Sequence, residues 1–323
     1  MPLESADVRR LLLHPMNARI QRLLLIAQLA AGALIAVGFW IGMGLSMIAA
    51  LTLGGVVAFG FQPMMIGIEF IMAAAVSDAP AHASAGPIGW LRAWLGECVA
   101  AARTFSVAQP LLAGRPLASA GTESAKTHLP VLLVHGYFCN RAMWRPMATR
   151  LARSGHMVDA VNLEPTFAPI DDYVRQIDAA VRRLQAATGA QRVALVGHSM
   201  GGLAIRAWLR VAGDEAMACV ITLGTPHAGT LHADFGRAAN VQQMRRNSAW
   251  LQALAASEPA ERMRRFTVIR SWQDNIVAPQ GPQTLPDART VSFTGIGHVR
   301  LAYDPRVAAA VIDTLQATAR NAD

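Results

Sequence analysis

Lysine is nearly missing from this chain of 323 residues: of its 29 basic residues, only Lys126 is a lysine. The net charge of +8 is therefore carried by arginines, which are scattered and form no basic run interleaved with aromatics. That absence excludes nucleic acid as the expected partner and leaves an anionic membrane surface as the better match for the charge. Cysteine is equally sparse. Cys98, Cys139 and Cys219 are odd in number and far apart, which gives neither a disulfide framework nor a metal-ligand spacing. No internal repeat is visible, so a repeat architecture is excluded as well.

A longer absence shapes the N-terminal part. Residues 23–68 contain no Asp, Glu, Lys or Arg across 46 positions. One membrane span takes about 20 apolar residues, so the run predicts two spans. Gly42, Gly44 and Ser46 supply the turn between them, and Trp40 suits an interface. Ala81-His82-Ala83 resembles a signal-cleavage site, but a secretory signal has an apolar region of only about 7–15 residues, which excludes that reading. Arg9, Arg10, Arg19 and Arg22 precede the first span and place the N-terminus in the cytoplasm of a bacterial-type inner membrane. Two spans return the remaining chain to that side. Were the second segment, interrupted by Gly54, Gly55 and Pro63, not to cross, the remainder would be periplasmic.

Composition then divides the chain into a membrane anchor (1–76), an amphipathic helix with a linker (77–127), and a catalytic domain (128–323) with a short cap insertion at about 230–265. In the middle segment Ile88, Leu91, Leu95, Cys98, Ala102 and Phe105 recur at helical spacing. That face suits either the bilayer surface or packing against the catalytic domain. Beyond it, short β-rich apolar runs at 129–134, 157–163, 192–196, 219–223, 266–270 and 290–293 alternate with helical segments. The clearest of these helices is 171–188, which Gly189 stops. The alternation predicts a mostly parallel sheet with helices on both faces, its ligands lying beyond the carboxyl ends of the strands.

At such an end stands Gly197-His198-Ser199-Met200-Gly201, between a predicted strand and a predicted helix. This is the context of a nucleophile elbow, with Ser199 thrust clear of the backbone. A serine needs a base, and the base needs an acid to hold its tautomer. The expected chain order is serine, acid, histidine. His298, in the glycine-rich Gly295-Ile296-Gly297-His298 loop past the last strand, is the expected base. His227 would precede any plausible acid and is assigned to shaping its loop. Asp274 follows a strand and lies 24 residues before His298, which makes it the expected acid. Asp287 is the runner-up, and Asp304 is expected to cap the last helix. For the oxyanion, the backbone amides of Met200 and of Tyr137, in Val134-His135-Gly136-Tyr137, are the expected donors. His135 and His198 adjoin these motifs and are expected to be structural.

Three stretches carry a resemblance: Leu132-Leu133-Val134-His135-Gly136, Gly197-His198-Ser199-Met200-Gly201-Gly202, and Thr222-Leu223-Gly224-Thr225-Pro226-His227-Ala228-Gly229. Together they resemble the bacterial triacylglycerol lipase branch of the α/β-hydrolases, over about three-fifths of the chain. The resemblance implies an α/β-hydrolase fold, with acid and base falling where Asp274 and His298 fall. Two departures stand out: apolar spans in place of a cleaved signal, and no recognisable calcium loop. The insertion after Gly229 is short, with Val241, Met244, Trp250, Leu251 and Leu254 as its apolar face, and forms either a small lid or packed cap helices. The expectation is a membrane-anchored serine hydrolase that cleaves lipid or acyl esters through an acyl-enzyme, with no cofactor and no metal. A thioesterase or acyltransferase with the same three residues is the neighbouring alternative, and a catalytically idle membrane-bound interaction module is the distant one.

Overall fold

The charge-free run folds into two long helices, α1 (Met16–Gly42) and α2 (Met47–Ala75). The computed structural model describes residues 15–121 and 127–320, so Arg9 and Arg10 lie outside the described residues. At 1.5 Å per residue the two helices extend about 40 and 43 Å, against about 30 Å for the hydrocarbon core of a bilayer. Their turn falls at the expected residues: Gly44 takes φ +67°, and the Ser46 hydroxyl caps α2 by accepting from the Ala49 amide at 3.3 Å. α2 continues unbroken through Gly54, Gly55 and Pro63. The helices meet where side chains are smallest. A Cβ on Gly32 would lie 2.7 Å from both the Gly54 carbonyl oxygen and the Ala58 Cβ. Leu23, Ile26, Leu34, Ile48 and Ile71 are all exposed. Both helices are long and apolar enough to cross a membrane, and neither is buried as a core helix would be.

The next helix, α3 (Gly86–Ala101), runs on through a π-helical stretch, Ala102–Ala108, into Gln109–Leu112. Its small and polar face, with Ala93, Glu97, Ala100, Ala101 and Thr104, is the buried one. Ile88, Leu91 and Leu95, half of the expected apolar face, point outward together with Val99. Phe105, at the far end of the same face, instead packs against the core of the sheet domain. The Trp94 indole donates to the Pro63 carbonyl at 3.0 Å, tying α3 to α2.

Each apolar run beyond residue 128 forms a strand: β1 (Val131–Val134), β2 (Val158–Val161), β3 (Val193–His198), β4 (Met217–Leu223), β5 (Phe266–Ser271) and β6 (Arg289–Phe293). They make one parallel sheet in the order β2-β1-β3-β4-β5-β6. Helices α4 (Arg145–Arg153), α5 (Val174–Thr188) and α6 (Met200–Ala212) follow β1, β2 and β3. Three short helices, α7 (Ala239–Gln243), α8 (Ala249–Ala256) and α9 (Ala260–Met263), intervene between β4 and β5. Helix α10 (Pro305–Arg320) follows β6, and the Asp304 carboxylate accepts from the Arg306 amide at 2.9 Å as its expected cap.

Strand alternation divides the core in two. Leu132, Val134 and Leu195 pack with α5 and α6 on one face, and Leu133, Val196 and Ile221 pack with α4 and α10 on the other. The first cluster also takes up Val241, Met244, Leu251 and Leu254 of the insertion. The segment after Gly229 is accordingly a set of packed cap helices.

The close approach at Gly32 and Gly54 predicts a sharp contrast between neighbouring positions. Gly54→Leu should overpack the hairpin at a cost of about 1–3 kcal/mol. Gly55→Leu, where a Cβ meets nothing within 4 Å, should leave stability unchanged. Thermal unfolding of the two variants in detergent checks this.

Candidate active site

Ser199 stands at the junction of β3 and α6 with φ 55° and ψ −129°, a conformation that costs a non-glycine residue about 1–3 kcal/mol. The parallel ladder holds it there, its amide donating to the Leu223 carbonyl of β4 at 2.9 Å. Glycine is required alongside. A Cβ on Gly136 would stand 2.7 Å from the Ser199 Cβ and 3.3 Å from its Oγ. The Met200 amide is the first of α6, where a helix leaves its N–H groups unpaired. Neither it nor the Tyr137 amide donates to an acceptor among the described residues. The Met200 side chain is buried in the first core cluster, so only its backbone is available to the site.

Asp274 lies just past the end of β5, and its carboxylate is fixed from both sides. One oxygen accepts from the Ile276 and Val277 amides at 2.9 and 2.8 Å, and the other meets His298 Nδ1 at 2.8 Å. Burial alone would lower the pKa of His298. The Asp274 charge, its hydrogen bond, and the charges of Glu97 and Glu69 outweigh burial and raise it. Ser199 and His298 line the same cavity, of about 570 Å³, within the usual range of roughly 300–1,000 Å³ for ligand pockets. Ser199, Asp274 and His298, read separately from the sequence, are thus brought to one site, with Tyr137 and Gly136 at its edge. The runner-up Asp287 is elsewhere, exposed in a turn with φ 62°.

His135, His198 and His227 are engaged in the framework, whereas His232 lines the cavity. His135 donates from Nδ1 to the Gly136 carbonyl at 2.9 Å and accepts the Leu163 amide at Nε2 at 3.0 Å. His198 donates from Nε2 to the His298 carbonyl at 3.0 Å. Burial pushes their pKa values down to about 4 and about 3, so both are neutral near pH 7. Arg206 donates to His227 Nδ1 at 3.1 Å, which leaves Nε2 to donate to the Thr222 hydroxyl at 3.0 Å. The same Arg206 makes a buried bidentate pair with Glu258, at 2.7 and 2.6 Å, and so joins the β4 loop to the cap.

Two carboxylates not singled out in the sequence complete the site. Glu97 of α3 accepts from the Val299 and Arg300 amides at 2.7 and 2.9 Å. Glu69 of α2 accepts from the Asn275 side chain at 2.8 Å, and Asn275 in turn accepts the His298 amide at 3.0 Å. Both reach the His298 loop from the N-terminal helices. A signal for Glu69 was present: it is the first charged residue after the run 23–68, and a carboxylate in an apolar helix needs a partner. No group of three or more His, Cys, Asp or Glu suited to a metal occurs among the described residues.

Burial raises Glu97 from 4.5 to about 7, against the two amides that lower it. A carboxyl whose folded pKa is raised binds more protons folded than unfolded, so stability falls as pH rises from about 4.5 to 7 and is level above. The Tm difference between wild type and Glu97→Gln should shrink through that window and then stay constant. Glu97→Ala, which leaves both amides without an acceptor, should lose about 1–3 kcal/mol per amide at any pH. Thermal melts across pH check both.

Residues 130–271 match the family described as alpha/beta hydrolase fold. A triacylglycerol lipase of Burkholderia plantarii is 37% identical over 132 residues, covering 38% of this chain and 37% of that protein. One from Pseudarthrobacter phenanthrenivorans is 38% identical over 119 residues, covering 34% and 37%. The chain thus spans little more than a third of the length of these curated relatives. Among solved structures, Aspergillus fumigatus lipase B shares the fold with a TM-score of 0.51 at 20% identity, covering 62% of this chain and 55% of that one. The parallel sheet, the strand–serine–helix turn and these likenesses together show an α/β-hydrolase fold that is similar, over the matched residues, to triacylglycerol lipases.

Proposed function

We propose that the protein is a membrane-anchored serine hydrolase that cleaves carboxylic esters of lipid or acyl type. The observation that carries this reading is the 2.8 Å contact of Asp274 with Nδ1 of His298, which lines the same cavity as Ser199. The Asp274 bond leaves His298 Nε2 without the proton, ready to take that of Ser199. The Ser199 oxygen attacks the acyl carbonyl, and the amides of Tyr137 and Met200 receive the negative oxygen. As the ester C–O bond breaks, His298 passes its proton to the leaving alkoxide. Water then attacks the acyl-enzyme, giving its proton to His298, and releases the carboxylic acid with Ser199 restored.

Membrane anchoring is supported by the length of α1 and α2 and by the exposure of their large apolar side chains. The outward Ile88, Leu91 and Leu95 of α3 add to that surface. Arg19 and Arg22 at the start of α1, with Arg9 and Arg10 before them, favour a cytoplasmic domain by the positive-inside rule.

The first test is hydrolysis of p-nitrophenyl esters from short to long chains by the detergent-purified protein. Ser199→Ala should lower turnover by about 10⁴-fold or more. No turnover of any ester by wild type, with no labelling by a serine-reactive phosphonate, would overturn the reading. A second expectation follows from the raised pKa of His298. A base works only when neutral, so kcat/KM for a soluble ester should fall as pH drops through a value above 6.5. Asp274→Asn should lower the rate by up to about 10⁴-fold. It should also move that limb to lower pH, because the charge that raises the histidine is gone. A pH–rate profile of the two proteins checks this.

A further inference from the structure

The cavity at Ser199 does not end within the hydrolase fold. It runs on between the two long helices, where Leu24 and Leu25 of α1 face Phe61, Met65 and Ile66 of α2. The lining stretches, 21–28 and 61–69, each cover about 10–12 Å of helix axis. Five of the nine hairpin residues that line it are apolar, and of these Leu24 and Phe61 are exposed, on helices whose remaining flanks carry exposed Leu, Ile and Val.

The polar residues of these helices point the same way. Apart from Asn17, every carboxamide and carboxylate of α1 and α2 lines the cavity, namely Gln21, Gln28, Gln62 and Glu69. Polar side chains in membrane helices are costly against lipid and turn toward partners or a working interior. Gln21 is held by the Phe138 carbonyl at 3.0 Å and by Gln109 at 3.1 Å, and Gln28 donates to the Ala58 carbonyl. They form a polar edge to an apolar slot that leads from lipid to serine.

We propose that the substrate is a long-chain lipid ester that reaches Ser199 from within the bilayer, its acyl chain lying between α1 and α2. The hairpin is then the chain-binding site of the enzyme as well as its anchor. Leu24, Leu25, Phe61 and Met65 set chain-length preference, and the ester group rests at the level where the Gln and Glu side chains meet the His298 loop. The proposal rests on the serine-hydrolase reading above and adds the substrate class and the route.

The test uses the full chain reconstituted in phosphatidylcholine vesicles. p-Nitrophenyl palmitate is mixed into the same vesicles or supplied in separate ones, and p-nitrophenyl butyrate is added to the water. Hydrolysis of the palmitate should be faster from the shared bilayer, and equal rates would overturn the membrane route. Leu24→Trp and Met65→Trp narrow the slot and should lower the palmitate-to-butyrate ratio of kcat/KM by about tenfold or more. Leu34→Trp and Ile48→Trp, exposed on the same helices away from the cavity, should leave the ratio as it is. An unchanged ratio in both slot variants would overturn the proposal.

A measurement on unmutated protein guards against misfolding. A long-chain alkyl phosphonate with a terminal diazirine is bound to Ser199 and irradiated. Crosslinks should fall within 21–28 and 61–69. Crosslinks confined to the cap, at 233–244, would overturn the chain site while the serine reading stands. Failure of both this probe and a short phosphonate to label Ser199 would remove both readings together.

Discussion

The loop carrying His298 turns three successive amides away from water, and a buried N–H must find an acceptor. His298 donates to Asn275, and Val299 and Arg300 donate to Glu97. None of these acceptors is supplied by the sheet itself. Asn275 is held by Glu69 on α2, and Glu97 projects from α3, so the two N-terminal segments fix the imidazole that Asp274 grips at its other side. Chain segments that composition separates into anchor, linker and domain therefore share one polar network at the functional end of the sheet.

Much of the fold was legible because its signals are local. All six strands form where the apolar runs lie, and Ser199, Asp274 and His298, which the fold brings close together, were read from a strand–serine–helix pattern and from loops past later strands. The turn at Gly42–Ser46 and the cap at Asp304 depend on residues whose conformations or hydrogen bonds act within a few positions. The α3 face shows the limit of periodicity. Ile88, Leu91 and Leu95 were correctly placed on one stripe, but spacing does not say what covers a stripe, and the domain took the face with Ala93, Glu97 and Thr104 instead. Glu97 was illegible for the same reason. Its partners are backbone amides some two hundred positions away, which no local pattern encodes.

The cap is packed onto the sheet domain where a small lid was the other expectation. Arg206 reaches both Glu258 beyond α8 and His227 beyond β4, and its charge is fully paired inside the protein. Removing one member of such a buried set would leave an uncompensated charge or an unpaired ring nitrogen. Cap residues packed into the main core line one side of the cavity, and the hairpin lines another.

The order of these segments along the chain bears on how the protein is made. α1 and α2 precede every strand, so they leave the ribosome before the sheet exists. Until the domain docks on them, the Asn275 side chain has no Glu69 carboxylate to bind, and the cavity has no far wall. A newly made domain thus has an unfinished cavity, completed only when the chain has joined its own first two helices.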